Sequence, residues 1–157
     1  MTSPHLDQWP PSDRKYRRSE LTTLIGSGDA VWQRVVREVL LWKVKTASGF
    51  VVNSTHPVSP GDRVVVTAHL FGLTVVEPVE VTAVVHELGR CGFSYRTMPG
   101  HPVDGEEAFV VDRRGDEVHL TIRSLTRAAP GQPWRLLFPL LLIAQRIVQR
   151  RYLRALR

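Results

Sequence analysis

The sequence predicts an α+β fold, in which a curved antiparallel sheet wraps around a long C-terminal helix. Three observations carry this prediction: an early segment with apolar residues at helical spacing, a central series of short β-rich runs, and a final segment with a long apolar stripe. Several of the β-rich runs are separated by turns that are too short for crossover helices. The strands are therefore expected to follow one another as an antiparallel meander.

The first two elements are a strand and an amphipathic helix. Residues 15–25 mix charged and apolar side chains and end at a glycine-rich turn, which predicts a first strand. Over 30–41 the apolar side chains recur at helical spacing, and Ser27 or Asp29 can cap the N-terminus of this helix. The pattern predicts that one face of the helix is buried.

Six short runs predict the remaining strands of the sheet. They are 50–52, 63–70, 79–87, 92–97, 108–112 and 117–123. In two of these runs apolar and polar residues alternate, so one face of the sheet meets the core. The inward side chains are Val64, Val66, Ala68 and Leu70 in one run and Val118, Leu120 and Ile122 in the other; the outward ones are Arg63, Thr67, His69, His119, Thr121 and Arg123.

A linker over 128–133 precedes the predicted C-terminal helix, 134–156, which Pro139 is expected to bend. One side of this helix is apolar, and arginines lie mostly on the opposite side. The apolar stripe is formed by Leu137, Leu141, Ala144, Val148, Tyr152 and Ala155, and the arginines are Arg146, Arg150, Arg154 and Arg157. The order of elements resembles the helix-grip plan of START-like and birch-allergen-like proteins, which bind lipids and small molecules.

Composition predicts one domain that needs no cross-links. The chain has 157 residues, of which 43% are hydrophobic, and its single cysteine, Cys91, cannot form an internal disulfide. We expect a flexible N-terminal leader over 1–14 and a single α+β domain over 15–157. The leader lacks the pattern of a secretory signal, so a cytoplasmic protein is expected, and its oligomeric state stays open.

The formal charge of +6 is concentrated at the C-terminal end, where eight arginines and no acidic residue follow Glu117. Nucleic acid is disfavoured as a partner, because few aromatic residues are interleaved with these arginines and no nucleic-acid module is recognised. The apolar segment 136–144 is far shorter than a transmembrane span. Peripheral contact of the basic helix with anionic lipid stays open, beside the simpler interpretation that the arginines form a solvated face.

The densest group of chemically capable side chains lies between two strands, at 92–109. His101, Asp104, Glu106 and Glu107 are titratable there, and they can perform acid–base chemistry if a pocket shifts their pKa values. The simpler interpretation is a rigid hairpin with solvated acids. The histidines lack the spacing of metal ligands, and no phosphate loop, dinucleotide fingerprint or nucleophile elbow occurs. We therefore expect neither a metal nor another cofactor.

The same region carries a resemblance to a known family. The run GFSYRTMPGHPVDGEEAFVV resembles a signature of the bacterial domain-of-unknown-function family numbered nineteen-ninety. Further similar pieces are 41–42, 60–62, 73–75, 81–87, 121–127 and 149–156, so that the resemblance covers about 15–157. This sequence departs from the family at Arg96, where glycine is frequent, and at Met98, where leucine is usual. The first departure places a charge near the loop, so that ligand specificity can differ here.

The resemblance implies no activity or cofactor, but it singles out residues in the signature runs as candidates for ligand binding. They are Tyr95, His101, Glu106, Glu107, Arg123 and Arg127, and Arg151 and Tyr152 lie in the same runs. In one interpretation, Arg123 and Arg127 pair with Glu106 or Glu107 and leave His101 at the mouth of a pocket. In the alternative, such pairs only attach the hairpin to the helix.

Three functions remain open. The leading hypothesis is a module that binds a small apolar molecule between the sheet and the last helix, which predicts a continuous internal pocket. An enzyme with His101 and Glu106 or Glu107 as acid and base predicts that these side chains converge and that at least one pKa is strongly shifted. An interaction protein that docks its basic helix on a membrane surface or an acidic partner predicts no cavity and an exposed apolar strip beside the arginines.

Overall fold

A computed structural model of the protein describes residues 1–11, 13–70 and 72–157, without the side chain of Leu70. The elements in chain order are the strand β1 (Arg17–Ser27), the helices α1 (Asp29–Leu40) and α2 (Lys43–Thr46), the strands β2 (Val51–Val52), β3 (Arg63–Leu70), β4 (Leu73–Glu87), β5 (Arg90–Thr97), β6 (Val103–Arg114) and β7 (Glu117–Ala128), and the helix α3 (Trp134–Tyr152). This is the predicted order with one addition, the short helix α2.

The seven strands form one sheet in the order β1-β7-β6-β5-β4-β3-β2. From β2 to β7 each strand pairs antiparallel with its neighbour in the chain, and β1 pairs antiparallel with β7. The register shifts between Leu24 and Gly26 in β1 and between Val81 and Ala83 in β4. Such irregularities bend a strand and increase its twist. The predicted fold, a curved antiparallel meander with a long C-terminal helix, is confirmed.

The core lies between the inner face of the sheet and the helices. Val35 and Val39 of α1 are fully buried, and Trp42, between α1 and α2, packs edge-on against Phe93 with the ring centroids 4.7 Å apart. The predicted inward residues Val64, Val66, Ala68, Val118, Leu120 and Ile122 are all buried, which confirms the alternation. The side chain of Leu70, which the sequence placed on the same face, lies outside the described part of the chain.

Helix α3 contacts β6 and β7 with the predicted apolar stripe. Tyr152 is buried, and the stripe residues before it are partly buried, whereas the predicted outward arginines are exposed. The helix continues through Pro139 and ends at Tyr152, before the predicted end at residue 156. Beyond it, the N–H groups of Arg154 and Ala155 donate to carbonyls three residues earlier, so the chain tightens into turns.

Strand β4 begins at Leu73, whereas the sequence predicted a start at residue 79. The longer strand contains Pro78, and proline lacks the N–H that a central strand donates. In the structure, Pro78 lies just beyond the pair Val79–Thr97, where β5 ends. The missing donor therefore interrupts no ladder, and the Pro78 carbonyl accepts the Met98 N–H at 2.9 Å.

The N-terminal segment lies on the outer face of the sheet. The N–H of Thr2 donates to Glu106 of β6, and Arg90 of β5 donates to the carbonyls of Pro4 and Leu6. Trp9 is 7% exposed. These contacts describe where the segment lies; the division into a leader over 1–14 and a domain over 15–157 stays a prediction.

Candidate functional site

A cavity of about 120 Å³ lies between the inner face of the sheet and α3. On the helix side, the cavity has an apolar wall formed by Leu141, Ala144 and Val148 of α3. On the sheet side, Ala68 and Val75 line it. These α3 residues are there because the helical spacing of the apolar stripe turns them toward the sheet. A cavity therefore lies between the sheet and α3, where the binding hypothesis expects one, and it is partly open to solvent.

Lys45 of α2 reaches into this cavity from the side of the short helix. The residue is 4% exposed, and its ammonium group donates to the Tyr152 hydroxyl at 2.6 Å and lies 3.2 Å from Oε2 of Glu107. Its Nζ also lies 4.7 Å from the ring centroid of Phe50 and 5.3 Å from that of Tyr95. A buried ammonium is stabilised in this way by a carboxylate, a hydroxyl and the faces of aromatic rings.

Glu107 connects this cation to the sheet. It lies opposite Tyr95 in the β5–β6 register, so both side chains point to the same inner face. The Tyr95 hydroxyl donates to Oε2 of Glu107. Burial, and then the charge of Glu107, raise the pKa of Tyr95 and of Tyr152 well above the usual value of 10. Both phenols are therefore protonated donors at neutral pH.

Glu77 and His101 complete the polar cluster. Glu77 lies on β4 between the inward residues Val75 and Val79, and burial raises the pKa of its carboxyl from 4.5. His101, in the β5–β6 loop, accepts the N–H of Val103 at Nδ1 over 3.0 Å. Burial, and then the charge of Lys45, lower the pKa of the imidazole from 6.5 to about 3. The imidazole is neutral at pH 7 and carries its proton on Nε2, 3.9 Å from Glu77 Oε2.

The arrangement combines hydrogen-bond donors with apolar walls. Lys45, Tyr152 and the Nε2–H of His101 line the same cavity. Among the described residues, the hydroxyl proton of Tyr152 and one ammonium proton of Lys45 have no acceptor. A neutral molecule with an acceptor oxygen can satisfy them, while the two carboxyl groups beside them disfavour an anion.

The structure brings together three of the six residues that the family resemblance singled out. Tyr95, His101 and Glu107 all line the cavity. Glu106 borders it, but its carboxylate accepts the N–H of Thr2 at 2.8 Å on the outer side. The neighbouring residue on a strand faces the opposite side of the sheet, and this places Glu106 and Glu107 in different environments.

The remaining two predicted site residues lie away from the cavity, and neither forms the expected pair with Glu106 or Glu107. Arg123 donates through Nε to Glu20 at 2.6 Å, and its other nitrogens bind backbone carbonyls of the N-terminal segment. Arg127 donates to Asp104 at 2.5 Å and lies over the ring of Tyr16. Both arginines occupy outward positions of β7.

Sequence reasoning missed two residues of the cluster, Lys45 and Glu77, whereas Tyr152 was already named from the signature runs and lines the cavity. Lys45 lies on a four-residue helix that has no periodic pattern. Glu77 carried a usable signal, because it alternates in phase with Val75, Val79 and the rest of the inward face once β4 is extended past Pro78. A charged residue at an inward position of a strand is the kind of exception that indicates a site.

Two negative findings apply to the part of the chain that the structure describes. Within it, no three histidine, cysteine or acidic side chains are grouped so that they can hold a metal ion. Within the same residues, no helix has the length and apolar character required to cross a membrane.

The curved sheet, the enclosing helices and the cavity beneath α3 define a helix-grip protein. Within that class, the chain belongs to the family described as domain of unknown function DUF1990, which it matches over residues 2–155. The family resemblance stated from the sequence is thereby confirmed.

A curated relative is the UPF0548 protein of Deinococcus radiodurans. It is 40% identical over 88 residues, which amount to 55% of this chain and 43% of that protein. The match therefore spans less than half the length of the curated relative.

Several solved structures share the fold at low sequence identity. The hypothetical protein jhp0584 from Helicobacter pylori has a TM-score of 0.61 at 17% identity, covering 99% of this chain and 96% of that chain. The major latex-like protein 151 from Panax ginseng has a TM-score of 0.52 at 15% identity, with coverage of 87% and 98%, and Ara h 8.0201 has a TM-score of 0.54 at 11% identity, with coverage of 90% and 98%. At these identities the likeness establishes the helix-grip fold.

Proposed function

We propose that the protein binds one small, mostly apolar and uncharged molecule that carries an acceptor oxygen, such as a carbonyl, between the sheet and α3. The observation that carries this proposal is the cavity of about 120 Å³, whose lining combines aliphatic side chains with a buried polar cluster. An apolar cavity of roughly 150 Å³ in another protein accepts benzene. The space here therefore suits a molecule of about one ring, or a short aliphatic chain.

The polar cluster supports the part of the proposal that concerns the acceptor oxygen. Tyr152 already accepts from Lys45, so its own hydroxyl proton is available, and the Nε2–H of His101 lies 3.9 Å from Glu77, longer than a hydrogen bond. A carbonyl oxygen placed among these donors satisfies groups that are otherwise buried and incompletely paired. Recognition then depends on one oxygen and on the apolar fit of the remaining molecule.

Native mass spectrometry of the protein purified from its host, without organic solvent, tests this proposal. The wild type is expected to retain a small molecule. Ala144→Phe, which fills the cavity from the helix side, is expected to lose that molecule. Ala47→Phe serves as the matched control because Ala47 is exposed at the end of α2, and it is expected to retain the molecule like the wild type.

Two results overturn the binding proposal. One is a wild type that stays empty even after incubation with host cell extract. The other is a molecule that Ala144→Phe retains as well as Ala47→Phe does, because the ligand would then lie outside the cavity.

A second candidate function, acid–base catalysis on the bound molecule, is favoured by one specific observation. Glu77 is buried with a raised pKa beside a neutral imidazole, and a protonated phenol lies in the same cavity. Perturbed groups of this kind gather at catalytic sites. Of the predicted acid–base residues, His101 and Glu107 line the cavity, and the carboxylate of Glu106 accepts the Thr2 N–H; the carboxyl 3.9 Å from His101 is that of Glu77.

The same mass measurement separates catalysis from binding alone. If Glu77 transfers a proton in a reaction, the molecule recovered from Glu77→Gln is the unreacted form and differs in mass or structure from that of the wild type. An identical molecule in both proteins contradicts the catalytic candidate and leaves the binding proposal intact.

A further inference from the structure

The side of α3 that faces away from the sheet carries four aliphatic side chains in a row. Leu136, Leu140, Ile143 and Ile147 are 76%, 63%, 56% and 51% exposed. Their spacing of three and four residues places them on one side of the helix, over about 16 Å of its length. We call these four residues the outer strip. It is a different face from the stripe that lines the cavity.

Arginines surround the outer strip. At helical spacing, Arg146 and Arg150 lie along one edge of it and Arg151 along the other, while Arg154 follows beyond its end. All four are exposed. In the described part of the chain none of them pairs with a carboxylate, and no acidic residue follows Glu117 in the sequence. The face is therefore both apolar and uniformly cationic.

We propose that α3 docks the outer strip on an anionic lipid bilayer surface, with the helix lying in the plane of the interface. Aliphatic side chains on such a helix enter the boundary between headgroups and acyl chains, and arginines at the edges meet the anionic headgroups. A second copy of this chain fits the strip less well, because two strips packed together bring two rows of unpaired arginines close to each other. Nucleic acid would neutralise the arginines but leave the aliphatic side chains exposed.

Co-sedimentation with vesicles tests the proposal. The full chain is expected to bind phosphatidylcholine vesicles that contain phosphatidylglycerol, to bind pure phosphatidylcholine vesicles far more weakly, and to dissociate at high salt. The apolar variant is Leu140→Ser with Ile143→Ser, and the charge variant is Arg146→Glu with Arg150→Glu. Each is expected to lower the apparent affinity for the anionic vesicles by roughly tenfold or more.

Matched controls lie elsewhere on the surface. Leu73 and Leu88 are 69% and 105% exposed, and their double change to serine removes equivalent apolar surface from another region. Arg37 and Lys43 are exposed on α1 and α2, and their change to glutamate alters the net charge as much as the arginine variant does. Both controls are expected to bind like the wild type, and circular dichroism verifies that all four variants are folded.

Three outcomes overturn the proposal. The first is equal binding of the apolar variant and its control, since charge alone would then hold the protein to the vesicle. The second is a dimer that the apolar variant dissociates while the wild type ignores anionic vesicles, since a second copy would then cover the strip. The third is binding to a DNA duplex with the same arginine dependence and no binding to vesicles.

Discussion

Lys45 and Glu107 are charged side chains with 5% and 12% exposure, held inside a protein of only 157 residues. Taking both from water is expensive, and replacement of such a pair by apolar residues is often neutral or stabilising elsewhere. Around them lie Tyr95, Tyr152 and Glu77, each with a pKa shifted in the direction of its neutral form. This concentration of buried polar groups does not serve stability, because an apolar core would stabilise the fold without the free-energy cost of desolvating them, and it agrees with the ligand recognition proposed above.

His101 makes the stability of the fold depend on acid pH. The folded protein lowers the pKa of the imidazole from 6.5 to about 3, so its contribution to stability is complete above pH 6.5 and is lost as the pH falls toward 3. Glu77, which faces it, acts in the opposite sense, since its pKa is raised and its contribution is lost as the pH rises through the folded value. Lys45 is the other charged group that acts on His101.

We predict that His101→Asn loses less stability than the wild type between pH 6.5 and pH 3, by on the order of a few kcal/mol. Asparagine keeps an acceptor for the N–H of Val103 but does not titrate. Urea unfolding at a series of pH values measures the difference in the free energy of unfolding between the variant and the wild type. Both proteins contain Glu77, so its contribution largely cancels in this difference. Parallel stability curves for the two proteins would contradict the assignment of a neutral, buried imidazole.

At the level of single residues, sequence patterns located part of the site and misplaced the rest for identifiable reasons. Tyr95, His101 and Glu107 fall in the signature run and lie together in the cavity. Strand alternation placed Arg123 correctly on the outer face, yet this residue is only 1% exposed. Its burial depends on the N-terminal segment that covers it, and a contact between segments so distant in sequence leaves no local pattern.

At the level of elements, the pairing of β6 with β7 depends on Gly105. A Cβ built on Gly105 would lie 1.8 Å from the carbonyl oxygen of Leu125 in β7. Gly92 is similar, since its Cβ would lie 2.2 Å from the carbonyl oxygen of Phe109. In each case the neighbouring strand backbone, which cannot rotate away like a flexible side chain, occupies the space. Glycine is required here for close approach of strands, beside the cavity that Gly105 borders.

Gly105→Ala is expected to lower the free energy of unfolding by about 2 kcal/mol or more, because the β6–β7 ladder must open to admit the methyl group. Gly131→Ala is the matched control: its Cβ would meet no atom within 4 Å and its φ is not in the left-handed region. The control is expected to change stability by no more than about 0.5 kcal/mol. Equal unfolding midpoints in urea for the two variants would show that the strands are not in such close contact.

The elements themselves were largely predictable. Apolar alternation fixed the inward faces of β3 and β7, and helical spacing fixed the buried stripe of α3, because both periods follow directly from backbone geometry. Strand ends were less predictable: β6 and β7 extend to Val103 and Ala128, beyond the apolar runs, since backbone pairing continues through polar residues. Helix α2 has too few residues for any period to be detected.

On the scale of the whole molecule, two buried arginines attach the N-terminal segment to the sheet. Arg123 donates to the carbonyls of Ser3, Leu6 and Asp7 at 2.7 to 2.8 Å, and Arg90 donates to that of Pro4 at 2.7 Å. Bonds of this kind, in which the donor is charged, are stronger than neutral ones. The N-terminal segment therefore lies across the outer face of the sheet and is held there by these hydrogen bonds.

Removal of residues 1–8 is expected to lower the free energy of unfolding by about 2 kcal/mol or more, because two buried guanidinium groups lose their carbonyl acceptors. Urea unfolding of the shortened and full-length chains measures the change. As a control, Arg123→Met in the shortened chain is expected to have a smaller effect than in the full-length chain, since part of its hydrogen bonding is already absent. Identical unfolding midpoints for the two lengths would support the flexible leader that composition predicts.

The pairing of β1 with β7 determines when during synthesis the sheet can be completed. Arg17 lies opposite Thr126 and Ser27 opposite Glu117, so the two strands meet only after a loop of most of the chain has closed. Consecutive hairpins from β3 to β7 need far shorter loops and are entropically easier to close. On the ribosome, β1 therefore emerges before β7 and has no partner strand until β7 follows, while α3, which walls the cavity, emerges after the whole sheet. A nascent chain of this protein therefore holds an open meander without the cavity until α3 has left the exit tunnel.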